Sequence, residues 1–145
     1  MSLRKVIAVV FMGIAFIFSV FFYLETNRPE DFAEYFNLSF YTQYGPVAIS
    51  IELFIAGFYL FKASKKANFA LALFGFTTVI DILFHITSLI TSNTPLYAMF
   101  VFSGCAIGAF YISFSNAFNL GKITLLATLT SFVMGNAIEW FFNFY

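Results

Sequence analysis

Asp81 and His85 stand four residues apart within Thr77–Ser88, a stretch otherwise dominated by apolar residues, and His85 is the only histidine in the chain. Four residues is close to one helical turn, so the two side chains leave the same general face of a helix. Holding an ionisable acid within a membrane is costly, and Asp, Glu and His at such positions mark proton relays and cation pathways. The candidate chemistry is therefore reversible binding of a proton, a small cation or a cationic solute, with Asp81 and His85 as the occupancy switch. The structural alternative is a hydrogen-bonded pair that fixes helix register.

Three further residues join the pair. Polar and small residues recur at intervals of three and four in three segments, the spacing of one helix face. One stripe reads Ala70, Thr77, Asp81, His85, Ser88, Ser92; a second reads Thr124, Thr128, Ser131, Gly135, Glu139, with Asn136 beside the last two; a weaker third reads Gly45, Glu52, Ala56, Tyr59, Ala63. Hydrocarbon cannot satisfy a hydroxyl or carboxyl group, so such faces turn toward one another. At 1.5 Å per residue, Glu52, His85 and Glu139 fall roughly 9–10 Å below one membrane boundary, with Asp81 and Asn136 somewhat deeper. The expected site is an outward-facing pocket containing Asp81, His85, Glu52, Glu139 and Asn136. No lysine or arginine lies within these segments, so the acids must share His85, carry protons or hold a cation. Snorkelling to the interface is the competing account of Glu52 and Glu139, and an interhelical bridge that of Asn136.

The elements that must position these residues are membrane spans. Only 10% of the 145 residues are charged and 61% are hydrophobic, against roughly 25% charged in soluble chains. The expected fold is all-α, one membrane domain over residues 1–145, with five spans at about 6–24, 45–61, 68–91, 96–118 and 123–144. Each is near the ~20 residues a bilayer requires. The intervening piece 25–44 carries most of the acids together with Phe32, Tyr35, Phe36, Phe40, Tyr41 and Tyr44, which suits an interfacial loop. Arg4, Lys5, Lys62, Lys65, Lys66 and Lys122 all fall on one side of a five-span arrangement and only Arg28 on the other. Positively charged residues mark the cytoplasmic side, so the N-terminus is read as cytoplasmic, loop 25–44 and Tyr145 as outside, and the chain as multi-pass in the cell (inner) membrane.

Seven basic residues balance seven acidic ones, which leaves no basic surface to hold nucleic acid. Cys105 reads as a small packing residue in an apolar helix. A metal is admitted only with Asp81, His85 and Glu52 as ligands, since one histidine is thin for zinc, copper or haem, and the paired Glu-x-x-His of di-iron bundles is absent. Ser88 near His85 has no oxyanion-type motif beside it. The enzyme question thus stays open, leaning no, and no cofactor is expected. Gly104 and Gly108 form a small-xxx-small pair that signals a close helix contact, within the chain or between protomers. Asn37-Leu38-Ser39 is a glycosylation sequon on the outer side. Two functional readings result. One is a small transporter or conducting module for protons or cations, working as a homo-oligomer or beside a partner subunit. The other is a non-catalytic assembly, anchoring or regulatory subunit of a membrane complex.

Overall fold

The computed structural model describes residues 1–144; Tyr145, placed outside by the charge pattern, lies beyond the described residues. Five long helices account for most of the chain: α1 (Leu3–Glu25), α3 (Gly45–Phe61), α4 (Ala67–Thr87), α5 (Leu96–Phe114) and α6 (Leu125–Asn143). All five are long and apolar enough to cross a membrane, and no strand occurs among the described residues. The short helix α2 (Leu38–Tyr41) and two 3-10 turns, Phe32–Phe36 and Thr42–Tyr44, occupy the aromatic connection and lead directly into α3.

Local chemistry sets the boundaries. Pro46 opens α3 at a position whose N–H would have no helical acceptor anyway. The Thr124 side chain caps α6 by accepting the Ala127 N–H at 3.2 Å. Two helices are shorter than their apolar runs. The third span ends at Thr87, not Thr91, because Ser88 takes a left-handed conformation (φ 52°) and the chain then folds back. The fourth ends at Phe114, not Phe118; Ser115 is extended, Phe118 and Asn119 have positive φ, and the Asn116 carboxamide accepts the Gly121 N–H at 2.8 Å.

Helix α4 is the central element, packed against α3, α5 and α6, while α1 lies along α3. Leu53, Leu60, Leu71, Phe74 and Phe102 form the core between them. Phe102 meets Phe74 and Phe18 edge to face at 6.1 and 5.3 Å, a favoured ring geometry. In contrast, α6 buries only Ser131, Gly135 and Glu139 and exposes Leu125, Leu126, Leu129 and Val133. Lipid is as apolar as leucine, so such a helix is held by small residues that allow close approach and by polar contacts. A Cβ on Gly135 would lie 3.0 Å from the Thr77 backbone N, and one on Gly57 2.9 Å from Met12 Cγ and 3.0 Å from the Ala8 carbonyl. Gly104, by comparison, has nothing within 4 Å, and Gly108 meets only the Phe11 ring at 3.6 Å.

The two ends of the bundle differ in charge. At the basic end Arg4 donates to the Leu60 and Phe61 carbonyls, the latter at 2.7 Å, placing a cation at the negative end of the α3 dipole. Lys62, Lys65 and Lys66 follow α3, and Lys122 precedes α6. At the acidic end, Asn27 and Gln43 exchange hydrogen bonds of 2.8 and 3.1 Å, and the Asn93 carboxamide donates to the Thr42 carbonyl at 3.0 Å.

Leucine introduced at Gly135 or Gly57 is expected to destabilise the bundle by about 1–3 kcal/mol through overpacking. Gly104→Leu should leave it unchanged. Thermal unfolding of the detergent-solubilised protein measures the difference.

Candidate functional site

Helices α4 and α6 run parallel, and their register is set where Gly135 abuts Thr77. One turn further toward the acidic end, the same offset brings Glu139 against Asp81. Asp81 is 3% exposed and Glu139 1% exposed, and their carboxyl groups lie near enough to interact. Ionised carboxylates are acceptors only, so a direct hydrogen bond between the two would need a proton on one of them. Two other groups complete it. Ser92 donates its hydroxyl to Asp81 Oδ1, and Asn143 Nδ2 donates to Glu139 Oε2 at 2.8 Å.

Glu52 of α3 supplies a third carboxyl, near enough to Glu139 for their charges to repel. It lies beside the Thr77 hydroxyl, but that hydroxyl gives its one hydrogen to the Leu73 carbonyl at 2.9 Å. Both Glu52 oxygens are accordingly buried and receive no hydrogen bond from the protein. What Thr77 still offers is an acceptor, which only a protonated Glu52 can use. Helices α3, α4 and α6 contain no lysine or arginine, and a buried carboxylate without a cationic partner is too costly to persist. The arrangement thus gathers ionisable oxygens with no lysine or arginine on the three helices that supply them.

The loop from Ser88 to Pro95 roofs this group. It returns from the end of α4 so that Ser92 reaches Asp81, Thr94 is buried against the same carboxyl, and the Ser92 Oγ accepts the Thr94 N–H at 3.1 Å. Above the roof, at the acidic end, is a cavity of about 200 Å³ lined by Glu25, Asn27, Gln43 and Asn93 among others. Asn93 and Pro95 of the same loop thus contribute to the lining of this cavity, together with the buried Phe22 and Pro46.

The other sequence candidates are peripheral to this group. His85 is exposed and, with Ile82, Ile86, Met99, Phe100 and Ser103, lines a largely apolar groove between α4 and α5, while staying near enough to Asp81 for the two to interact electrostatically. A four-residue step carries a side chain about 40° beyond a full turn; here that turns His85 toward α5, while Ser92 occupies the place beside Asp81. Asn136 is half-buried and donates to the Phe132 carbonyl of its own helix at 2.9 Å. Among the described residues no group of three His, Cys, Asp or Glu side chains is placed to hold one metal ion, so Asp81, His85 and Glu52 are not assembled as a ligand set. Gly104 is exposed on α5 and belongs to no helix contact within the chain.

Ser92, Thr94 and Asn143 are the contributors that sequence reasoning missed. Asn143 follows Glu139 by one turn, a usable signal; Ser92 stands at the end of the polar stripe just past the expected span 68–91, and it reaches Asp81 because α4 ends early at Thr87. No protein-family model, curated protein or solved structure matches this chain.

Glu139→Gln retains a donor toward Asp81 and is expected to leave stability within about 1 kcal/mol, whereas Glu139→Ala should cost about 1–3 kcal/mol by leaving Asp81 facing a void. Denaturant unfolding in detergent micelles compares them.

Proposed function

We propose that this chain is a multi-pass membrane protein that moves protons through the Glu52, Asp81 and Glu139 site, as a transporter or a conducting module. The observation that carries the reading is that Asp81 and Glu139 are both buried at the contact of α4 and α6, with no lysine or arginine on α3, α4 or α6 to pair with them. Glu52, buried and without a donor, is the adjacent group able to pass a proton on. The vestibule lined by Glu25 and Asn93 is the route from the acidic end, with Ser92 as the contact that opens or closes it. Larger cations fit less well, because the carboxyls are not arranged as a multidentate set.

The positive-inside rule places the basic end in the cytoplasm and the vestibule outside, in the cell (inner) membrane. A chain of five spans encloses little interior, and the reading includes a homo-oligomer or a partner membrane subunit. The exposed Gly104 on α5 favours the second reading, an assembly or anchoring subunit, since a small residue facing lipid permits a neighbouring helix to approach.

Proton flux into liposomes containing the purified chain, driven by an imposed potential and read by an entrapped pH dye, separates the two. Asp81→Asn and Glu52→Gln should each lower flux at least about tenfold, while His85→Gln should retain it. Wild-type flux no greater than in empty liposomes, or an Asp81→Asn protein that folds and conducts normally, contradicts the transport reading.

A further inference from the structure

Helix α6 packs on the bundle along one face, the one carrying Ser131, Gly135 and Glu139. A second series follows its outer surface: Leu126, Leu129, Val133, Asn136 and Trp140. The steps alternate between three and four residues, the spacing with which one helix winds against another in a left-handed pair. At about 100° per residue, this outer stripe lies roughly 100–180° around the helix from Gly135. Leu126, Leu129, Val133 and Trp140 are exposed and Asn136 is half-buried. A helix seated on the stripe would therefore leave the face docked on α4 undisturbed.

Asn136 is the residue that lipid alone does not account for. It lies about 16 Å from the start of α6 and about 10 Å from its end at 1.5 Å per residue, within the hydrocarbon. One of its N–H groups reaches the Phe132 carbonyl of the same helix at 2.9 Å, while its other N–H and its Oδ1 meet no partner among the described residues. A carboxamide carries both donors and an acceptor, and hydrocarbon satisfies neither. Asparagine side chains in spans hydrogen-bond across helix contacts. The other asparagines of the five long helices stand at their ends, Asn68 at the start of α4 and Asn143 at the end of α6.

Which helix can answer Asn136 follows from insertion. The lysine and arginine bias gives every copy of the chain the same sense in the membrane. Two α6 helices then meet in parallel and at equal depth, about a two-fold axis along the membrane normal. Asn136 faces its own equivalent, and each carboxamide supplies the donor and acceptor that the other lacks.

We propose that this chain forms a parallel homodimer through the outer stripe of α6, with the two Asn136 carboxamides hydrogen-bonded across it. The pairing names the surface for the homo-oligomer included in the transport reading, but it rests on the five-helix bundle and not on proton movement. It holds α6 from its outer side while Glu139 faces α4 from the inner one.

The test uses the full chain with Cys105→Ala, which removes the one native thiol, and a single cysteine placed at Val133 on the stripe or at the exposed Met134 beside it. In liposomes with protein at high dilution, copper-phenanthroline oxidation should link Val133→Cys into a disulfide dimer and leave Met134→Cys monomeric, since a disulfide requires Cβ atoms about 4 Å apart. Energy transfer between labelled copies in the same liposomes should show association weakened about three- to tenfold by Asn136→Leu, and less by Asn136→Gln. Equal cross-linking at both positions, or unchanged association in Asn136→Leu, overturns the proposal. A cross-linked product of another mass in cell membranes, with only monomer in liposomes, assigns the stripe to a different subunit and overturns the second-copy assignment. A dimer that carries no proton flux contradicts the transport reading and leaves the pairing standing.

Discussion

The arrangement of this bundle depends on one constraint: the carboxyls of Asp81 and Glu139 are buried beside each other in a seam between α4 and α6 that contains no lysine or arginine. Burial makes two adjacent negative charges costly, and two ionised carboxylates cannot hydrogen-bond to each other. In the proposed reading the pair holds a proton. Helix α6 buries little else, so the contact that docks this helix is the same one at which that proton is proposed to reside.

Small residues make that contact reachable. Ser131 and Gly135 precede Glu139 at one-turn intervals and let α6 approach the backbone of α4, where Gly135 meets Thr77. A parallel pair in this register then stacks Glu139 on Asp81 without any further device. On the opposite side of α4 the packing is conventional, with aromatic and aliphatic side chains from α1, α3 and α5. The bundle thus has a dry, hydrophobic half around Phe74 and Phe102 and a polar seam between α4 and α6, with Glu52 reaching the seam from α3. A proton-dependent movement would be concentrated at the seam, since the aromatic half has no comparable charge to gain or lose.

Much of this was readable in the chain itself, for physical reasons. A deficit of charged residues and five runs of bilayer length left few alternatives to a five-helix membrane bundle, and the period of the polar residues identified Ser131, Gly135 and Glu139 as one buried face. The expectation that Glu52, Asp81 and Glu139 share one site rests on the same periodicity. His85 illustrates the limit. Its four-residue spacing from Asp81 gives a shared face only approximately, and the choice between α5 and the seam was made by a loop whose path no periodicity encodes. The left-handed turn at Ser88 ends α4 early and delivers Ser92 to Asp81; serine is not a residue whose type announces such a turn. Similarly, Gly104 and Gly108 have the spacing of a helix contact, yet the tight approaches are at Gly57, Gly75 and Gly135. Spacing describes one helix, whereas contact depends on what the neighbouring helix presents.

The central claim is that the seam between α4 and α6 is held by a proton on the Asp81–Glu139 pair. Infrared spectroscopy of the membrane-reconstituted protein at neutral pH measures this directly, through the carbonyl stretch of protonated carboxyl groups. The account predicts a protonated-carboxyl band in the wild type that weakens in Glu139→Gln and again when Glu52→Gln is added. Absence of such a band at neutral pH, with both acids fully ionised in a folded protein, would contradict it.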